Sequence, residues 1–134
     1  MAEGIIERFG KYELIEKIAS GGMAEVFRAR LRGAAGFEKI LVIKKILPHL
    51  AKEKEFQELF IDEARIAVQL VNVNIVQVFD LGEINNQYFM AMEYVKGLDL
   101  SRLLVKARQV GPFPIPLALF IIGEVLKALN FAHH

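Results

Sequence analysis

Short apolar runs broken by glycine pairs fill the first third of the chain, and this pattern indicates β-strands. It predicts strands over residues 12–19, 25–31 and 39–47. The break at Ser20-Gly21-Gly22 and a turn over 32–36 separate them, because glycine pairs typically mark turns between apolar runs. Three successive strands joined by short turns indicate an antiparallel sheet.

From Phe56 onwards the apolar residues recur every three or four positions, which predicts an amphipathic helix up to about Leu70. A hairpin is expected next, with strands over 75–81 and 87–94 around the polar turn 84–86. Two helices follow, over 98–110 and from Pro116 to His134, joined by a proline-rich linker. The predicted fold class is therefore α+β, with a five-stranded antiparallel sheet, one central helix and two C-terminal helices.

Composition and charge narrow the class of protein. The 134 residues suit one compact domain, and 54% of them are hydrophobic, which excludes disorder. The 17 basic and 16 acidic residues nearly cancel, so neither a nucleic-acid partner nor a polybasic membrane anchor is expected. With no cysteine, and with a longest apolar stretch (113–122) of about half a membrane span, a cytoplasmic location is expected.

The small-residue turn over 19–26 is the first candidate for chemistry, because backbone N–H groups there can approach a phosphate without a side chain intervening. Taken alone, such a turn is more often an ordinary hairpin turn. The terminal pair His133-His134 is interpreted as a helix end, since two histidines cannot complete a metal coordination shell.

Lys44 and Glu63 form the second candidate feature. Lys44 lies inside the apolar strand 39–47, where alternation puts it on one face and Lys45 on the other without saying which face is buried. Glu63 lies in the centre of the apolar stripe of its helix, so it is expected to point at the core and to require a cation. Lys44 is the obvious partner, either in a purely structural ion pair or in a ligand site.

In this order and spacing, the residues resemble the N-terminal lobe of a protein kinase, specifically the bacterial Ser/Thr kinases of eukaryotic type. The resemblance runs from about Phe9 to His134. The segments that carry it are the glycine-rich turn Ala19–Val26, the strand Leu41-Val42-Ile43-Lys44, the helix segment Asp62-Glu63-Ala64-Arg65, the stretch Asn74-Ile75-Val76 and the hinge Met92-Glu93-Tyr94-Val95-Lys96-Gly97.

The resemblance implies that the chain binds ATP or ADP, with Mg²⁺ held mainly through the phosphates. Lys44 would hold the α- and β-phosphates, steadied by Glu63, and the backbone amides of 20–24 would cover the phosphates. Adenine and ribose would be contacted by residues of the strands and hinge. The residues implied are Ile18, Ala19, Ser20, Gly21, Gly22, Met23, Ala24, Val26, Val42, Lys44, Glu63, Met92, Glu93, Val95 and Asp99.

Within that set, Ile18 and Val26 would cover the adenine ring. Met92 occupies the gatekeeper position, and the Glu93 carbonyl and the Val95 N–H would bind the adenine edge. Asp99 lies where a ribose contact is often found.

The sequence departs from the family pattern at several positions. Ala19 and Ala24 replace the first and third glycines of the loop, Val42 replaces a small alanine, and Asn72-Val73 replaces His-Pro. The catalytic loop, the Asp-Phe-Gly metal site and the activation segment do not occur within these 134 residues. The chain by itself is therefore not expected to transfer phosphate.

The predicted organisation is an N-terminal extension (1–11), a kinase-like lobe with its hinge (12–97) and a helical segment corresponding to the start of the large lobe (98–134). The last helix has only two charges over 117–132, so it is expected to be buried against another surface, and a homodimer through this helix or the sheet is expected. A self-associating interaction module without nucleotide binding is the alternative. The sequence leaves open whether the lobe is natural, truncated or engineered.

Overall fold

A computed structural model describes residues 4–134 of the chain. The described residues form two compact units. The first comprises the residues up to Val71 together with Gln77–Tyr94, and the second comprises Asn72–Val76 and Val95–His134. The elements in chain order are β1 (Glu7–Phe9), β2 (Tyr12–Ser20), β3 (Ala24–Arg32), a 3₁₀ turn (Ala34–Gly36), β4 (Glu38–Ile46), α1 (Lys54–Gln69), β5 (Val78–Ile84), β6 (Gln87–Glu93), α2 (Leu100–Val110) and α3 (Ile115–Ala132).

The first unit is built on one antiparallel sheet with the strand order β1-β2-β3-β4-β6-β5. The predicted α+β class is confirmed, but the sheet has six strands rather than five. The additional strand is β1, which pairs with β2 and lies inside the segment predicted to be an extension. Three residues are too few to show an apolar period, so the pattern could not indicate it.

Side chains from the two faces of the sheet enter two separate cores, because alternate residues of a strand point to opposite faces. Phe89 is the centre of the first core, with the rings of Phe9 and Tyr12 packed edge-on at 5.3 and 5.6 Å. Ile43 completes this core from β4. Ile46 and Met90 point the other way and join the core beneath α1.

Helix α1 packs on the second face of the sheet through Phe60 and Ala64, the two residues of this helix that are buried. They are four positions apart and therefore lie on the same side of the helix. Glu63 lies between them in sequence but on the neighbouring part of the helix surface. This placement brings its carboxylate to Lys44 of the interior strand β4, where it stays half exposed and does not enter the core.

The hairpin of β5 and β6 closes through Asn85 and Asn86, both with positive φ (52° and 62°). A two-residue hairpin turn with two positive φ values favours asparagine, which tolerates the left-handed region better than most residues. The predicted polar turn at this position is confirmed. Its pairing fixes the register of β6, which carries Met92 and Glu93.

An ion cluster around the buried carboxylate of Glu13 lies on β2 and β3, and it was not expected from the sequence. Glu13 forms ion pairs with Arg30 (3.4 Å) and Arg32 (2.7 Å). Burial raises the pKa of the Glu13 carboxyl, but the Arg30 hydrogen bond and the charges of Arg32, Arg30 and Arg8 outweigh it and hold the pKa below its ordinary value. The Nε of Arg30 is buried and has no hydrogen-bond partner among the described residues.

The second unit contains α2, α3 and the segment Asn72–Val76. The Asn74 amide donates to Glu124 of α3 at 2.9 Å, and Lys127 donates to the same carboxylate at 2.7 Å. These hydrogen bonds, that of Lys127 first, hold the pKa of Glu124 below its ordinary value. The side chain of Asn72 accepts from the Asn74 backbone N–H at 2.9 Å, so an Asx turn forms where the family has His-Pro.

Candidate functional site

A cleft of about 410 Å³ lies in the first unit, between the β2–β3 hairpin, β4 and α1. Its walls come from three elements that are distant in sequence, and concave sites of this kind are typical of ligand binding. The residues that line it are Ala19, Ser20, Gly21, Gly22, Met23, Ala24, Val26, Lys44, Phe60 and Glu63. All but Phe60 belong to the set that the resemblance implied.

The hairpin tip at Gly21 and Gly22 forms the roof of the cleft. The Gly21 N–H donates to the Ala24 carbonyl at 2.9 Å, and the Leu47 N–H donates to the Met23 carbonyl at 2.8 Å. These two bonds fix the tip to β3 and to the end of β4. A Cβ added to either glycine would meet no heavy atom within 4 Å, so no neighbouring side chain crowds the tip.

The Lys44 amine lies 2.6 Å from Oε1 of Glu63 at the inner wall of the cleft. β4 supplies the lysine and α1 supplies the carboxylate. The Lys44 ammonium group has three N–H donors, and this hydrogen bond to Glu63 uses one of them. A cation held in this way can direct its further donors at an anionic ligand.

The exposure of Glu63 corrects one expectation. Its side chain is 49% exposed and that of Lys44 is 26% exposed, so the carboxylate points into the open cleft and not at the core. The apolar stripe that predicted a buried position is wider than the buried face of α1. Its packed part is formed by Phe60 and Ala64, while Leu59 and Ile66 are exposed.

Phe60 is the residue of the cleft that sequence reasoning assigned only to the apolar stripe of the helix. It is fully buried and still forms part of the lining. Its position one helical turn before Glu63 is the signal that could have found it, since residues three apart share a helix face.

Several residues implied for the adenine side do not line this cleft. Val42 is buried and lies opposite Met92 in the β4–β6 register, while Ile18 is exposed on β2. Glu93 exchanges hydrogen bonds with Gln77: its N–H donates to the Gln77 carbonyl, and its side chain accepts from the Gln77 N–H, both at 2.9 Å. The Glu93 side chain therefore holds the start of the hairpin.

Val95 and Asp99 belong to the second unit. Val95 is exposed, and Asp99 is the N-cap of α2, where its side chain accepts from the Arg102 N–H at 2.7 Å. An aspartate at this position satisfies a free N–H of the first helical turn. This capping role of Asp99 was not expected from the sequence, where the residue was assigned only to the ribose.

The residues of the cleft fit a nucleotide better than a protein-bound metal. No group of three metal-ligating side chains occurs within residues 4–134. A hairpin tip without side chains at Gly21 and Gly22, together with a lysine at the inner wall, has the chemistry that a phosphate chain requires. Mg²⁺ would then have to be held mainly by the phosphates, with Glu63 as the acidic side chain at the cleft.

These features define the small lobe of a protein kinase: an antiparallel sheet, a single packed helix and a lysine–glutamate pair below a glycine-rich hairpin. The family model for the protein kinase domain matches residues 12–134. The chain therefore belongs to the protein kinase family, and the resemblance described above is confirmed.

Curated relatives are bacterial kinases. The chain is 43% identical over 130 residues to the tyrosine-protein kinase MasK of Myxococcus xanthus, and 34% identical over 125 residues to the serine/threonine-protein kinase PknH of Mycobacterium tuberculosis. These alignments cover 96% and 93% of this chain but only 20% and 19% of the relatives. The chain thus spans about one fifth of their length.

The solved kinase domain of PknI from Mycobacterium tuberculosis has the same fold. It matches with a TM-score of 0.73 and 29% identity, over 99% of this chain and 53% of that one. By length and composition α3 could also cross a membrane. The match over nearly the whole chain, α3 included, shows instead that a helix in this position is part of a folded kinase domain.

Proposed function

We propose that the chain binds ATP or ADP in the cleft between the glycine-rich hairpin and the Lys44–Glu63 pair. The proposal rests on one observation: a lysine of β4 and a glutamate of α1 meet at 2.6 Å at the inner wall of a cleft roofed by two glycines. A purely structural ion pair would not require that roof. Membership of the protein kinase family supports the same ligand.

In this proposal, the Lys44 ammonium binds the α- and β-phosphates, and Glu63 keeps the side chain extended into the cleft. Backbone N–H groups of the hairpin tip cover the phosphates, except that of Gly21, which already donates to Ala24. The nucleotide supplies the phosphates that hold Mg²⁺. Val26 contacts the base side of the ligand, and the alanines at 19 and 24 make the hairpin stiffer than glycines would.

The activity proposed for the complete protein is phosphoryl transfer from ATP to hydroxyl groups of proteins in the cytoplasm. Serine or threonine is the proposed acceptor, as the name of PknH indicates for that relative, although MasK is a tyrosine-protein kinase. Residues 1–134 supply the nucleotide site. The general base and the metal ligands of the reaction are not among these residues.

Calorimetric titration with ATP and ADP, with and without Mg²⁺, tests the nucleotide site directly. We expect saturable binding that Lys44→Met weakens by about tenfold or more, since a charge-assisted contact to phosphate is lost. Lys39→Met is the matched control, because Lys39 lies on the same strand but is exposed and outside the cleft. No binding at millimolar nucleotide, or equal binding by Lys44→Met, would contradict the proposal.

A second candidate function is self-association through α3. Its apolar residues Leu119, Phe120, Ile122 and Leu126 are all more than half exposed. For these 134 residues by themselves, exposed apolar surface of this kind favours association, and the proposed occupant is a second copy of the chain. Light scattering should then give twice the chain mass, and Leu119→Glu with Leu126→Glu should give a monomer. A monomeric wild-type chain would contradict it.

A further inference from the structure

Two consecutive lysines of β4 project from opposite faces of the sheet. Lys44 points into the cleft and pairs with Glu63 of α1. Lys45 points to the other face and donates to Glu7 of β1 at 2.9 Å. The two ion pairs thus tie the same strand to two different elements, one on each side.

Lys45 occupies a site of its own on the face opposite the cleft, beside the core around Phe89. Its side chain is only 6% exposed, whereas that of Glu7 is 45% exposed. The amine also lies over the rings of Phe9 and Phe27, 4.9 and 5.2 Å from their centres. A buried ammonium group is unfavourable unless a counter-charge and ring faces compensate for its lost hydration.

Strand β1 brings Glu7 to this site and is itself well anchored. It pairs with β2 from Glu7↔Leu14 to Phe9↔Tyr12, and the Ile6 N–H donates to the Leu14 carbonyl at 2.8 Å. The ring of Phe9 packs edge-on against Phe89. The position of the Glu7 carboxylate is therefore set by the sheet.

The side chains of β4 do not by themselves determine which lysine enters the cleft. One face of the strand carries Val42, Lys44 and Ile46, and the other carries Leu41, Ile43 and Lys45. The two faces are almost equal in apolar character, and a slip of one residue exchanges them. A partner specific to Lys45 removes this ambiguity.

We propose that Glu7 is a positioning residue for nucleotide binding: by holding Lys45 on the face of β4 opposite the cleft, it keeps Lys44 directed into the cleft. This inference rests on the proposed nucleotide site. It assigns a role to β1, which lies outside the segment matched by the family model. Without the Glu7 charge, Lys45 is buried without its counter-ion, and β4 is driven to twist or slip so that this amine reaches water.

The test measures Mg-ATP affinity for Glu7→Gln, Lys45→Met and the double variant, at a temperature far below unfolding. We expect Glu7→Gln to weaken binding about fivefold. Lys45→Met should bind within about twofold of wild type, because methionine suits the aromatic site without a charge. The double variant should return to within about twofold of wild type, since no buried amine then lacks a partner.

Glu38→Gln is the matched control. Glu38 is an exposed carboxylate at the start of β4, the strand of Lys45, and it pairs with Arg32 at 3.7 Å. Hydrogen exchange of the β4 amides is the second readout. Among these variants, we expect only Glu7→Gln to accelerate the exchange. If wild type binds Mg-ATP and Glu7→Gln binds equally well, the positioning role is wrong and the nucleotide site stands. If wild type does not bind, the nucleotide site and the positioning role are both wrong.

A double variant that stays as weak as Glu7→Gln would also overturn the positioning role. In that case the Glu7 charge would act on the ligand directly and not through Lys45. A merely structural ion pair would change the unfolding temperature but leave the affinity of the folded protein unchanged. Rescue of the Mg-ATP affinity by Lys45→Met therefore distinguishes a positioning role of Glu7 from a merely structural ion pair.

Discussion

Lys44 and Glu63 are 19 residues apart in sequence, yet their charged atoms lie 2.6 Å from each other. The contact joins the third long strand of the sheet to the packed helix. Both side chains retain contact with solvent, so the pair lies at the surface of a cleft and is not enclosed in the core.

The exposure of this pair predicts that Glu63→Gln changes ligand binding more than stability. Partly exposed ion pairs contribute about 0–1 kcal/mol to folding, because water solvates the separated charges well. We expect the unfolding free energy in urea to fall by no more than about 1 kcal/mol. ATP affinity should fall severalfold, since Lys44 is then free to leave the cleft. A stability loss of several kcal/mol with unchanged affinity would show that the pair is structural.

The hairpin roof gives a second prediction, for Gly22→Asp. A side chain at Gly22 meets no atom within 4 Å, so the unfolding temperature should stay within about 2 °C of wild type. The proposed phosphate site lies at this tip, so the added negative charge should lower nucleotide affinity by about tenfold or more. Gly4→Asp is the control, because Gly4 is equally unobstructed and lies outside the cleft. Equal affinities of the two variants would contradict this account of the roof.

The buried carboxylate of Glu13 predicts a dependence of stability on pH. Its pKa is held below the ordinary value in the folded state, so its stabilising contribution is complete above the unfolded pKa of about 4.3. That contribution is lost as the pH falls through the lower folded pKa. Glu13→Gln should therefore be less stable than wild type at pH 7, and the difference should shrink below about pH 4. Urea unfolding at several pH values measures the difference in unfolding free energy between wild type and Glu13→Gln. A difference that does not change with pH would contradict the lowered pKa of Glu13.

Replacing glycine by alanine should change the free energy of unfolding in opposite directions at Gly82 and Gly123. A Cβ at Gly82 would lie 2.6 Å from the Phe89 ring, which is fixed between Phe9 and Tyr12, so Gly82→Ala should cost about 1–3 kcal/mol. Gly123 lies inside α3 with open space around it, and Gly123→Ala should stabilise by up to about 1 kcal/mol. Thermal unfolding of both variants compares the signs. A stabilised Gly82→Ala would show that the aromatic core yields easily.

Much of the fold follows from local signals in the sequence. The apolar runs, the glycine pairs and the asparagine turn predicted the long strands, and the change to a three- and four-residue period predicted α1. The register of Lys44 against Lys45 could not be predicted, because both faces of β4 are equally apolar. Its resolution requires Glu7 and Glu63, which come from elements distant in sequence.

The cleft lining could be predicted where its residues are local in sequence, as in the hairpin and the lysine strand. The misses involve residues whose environment depends on packing. Glu63 was expected to face the core, but its helix buries only a narrow face. Asp99 was assigned to the ribose, which stays a prediction, and the structure adds a helix-capping role that the sequence pattern did not indicate.

The ion cluster around Glu13 was missed for a related reason. Arg30 and Arg32 come from β3, whereas Glu13 comes from β2, so strand pairing alone brings the three charges together. Register between two strands depends on the whole sheet, and no local spacing of charges in the sequence indicates it.

The two edges of the sheet have a consequence for how copies of the chain can associate. β1 offers only three residues, and β5 carries Asp80, Gly82 and Glu83 together with a register shift after Val78. Short, irregular and charged edges are poor templates for adding a further strand. Backbone pairing between copies is thus disfavoured at both ends of the sheet, so in a chain with 54% hydrophobic residues neither edge offers the open template from which fibrous aggregation grows.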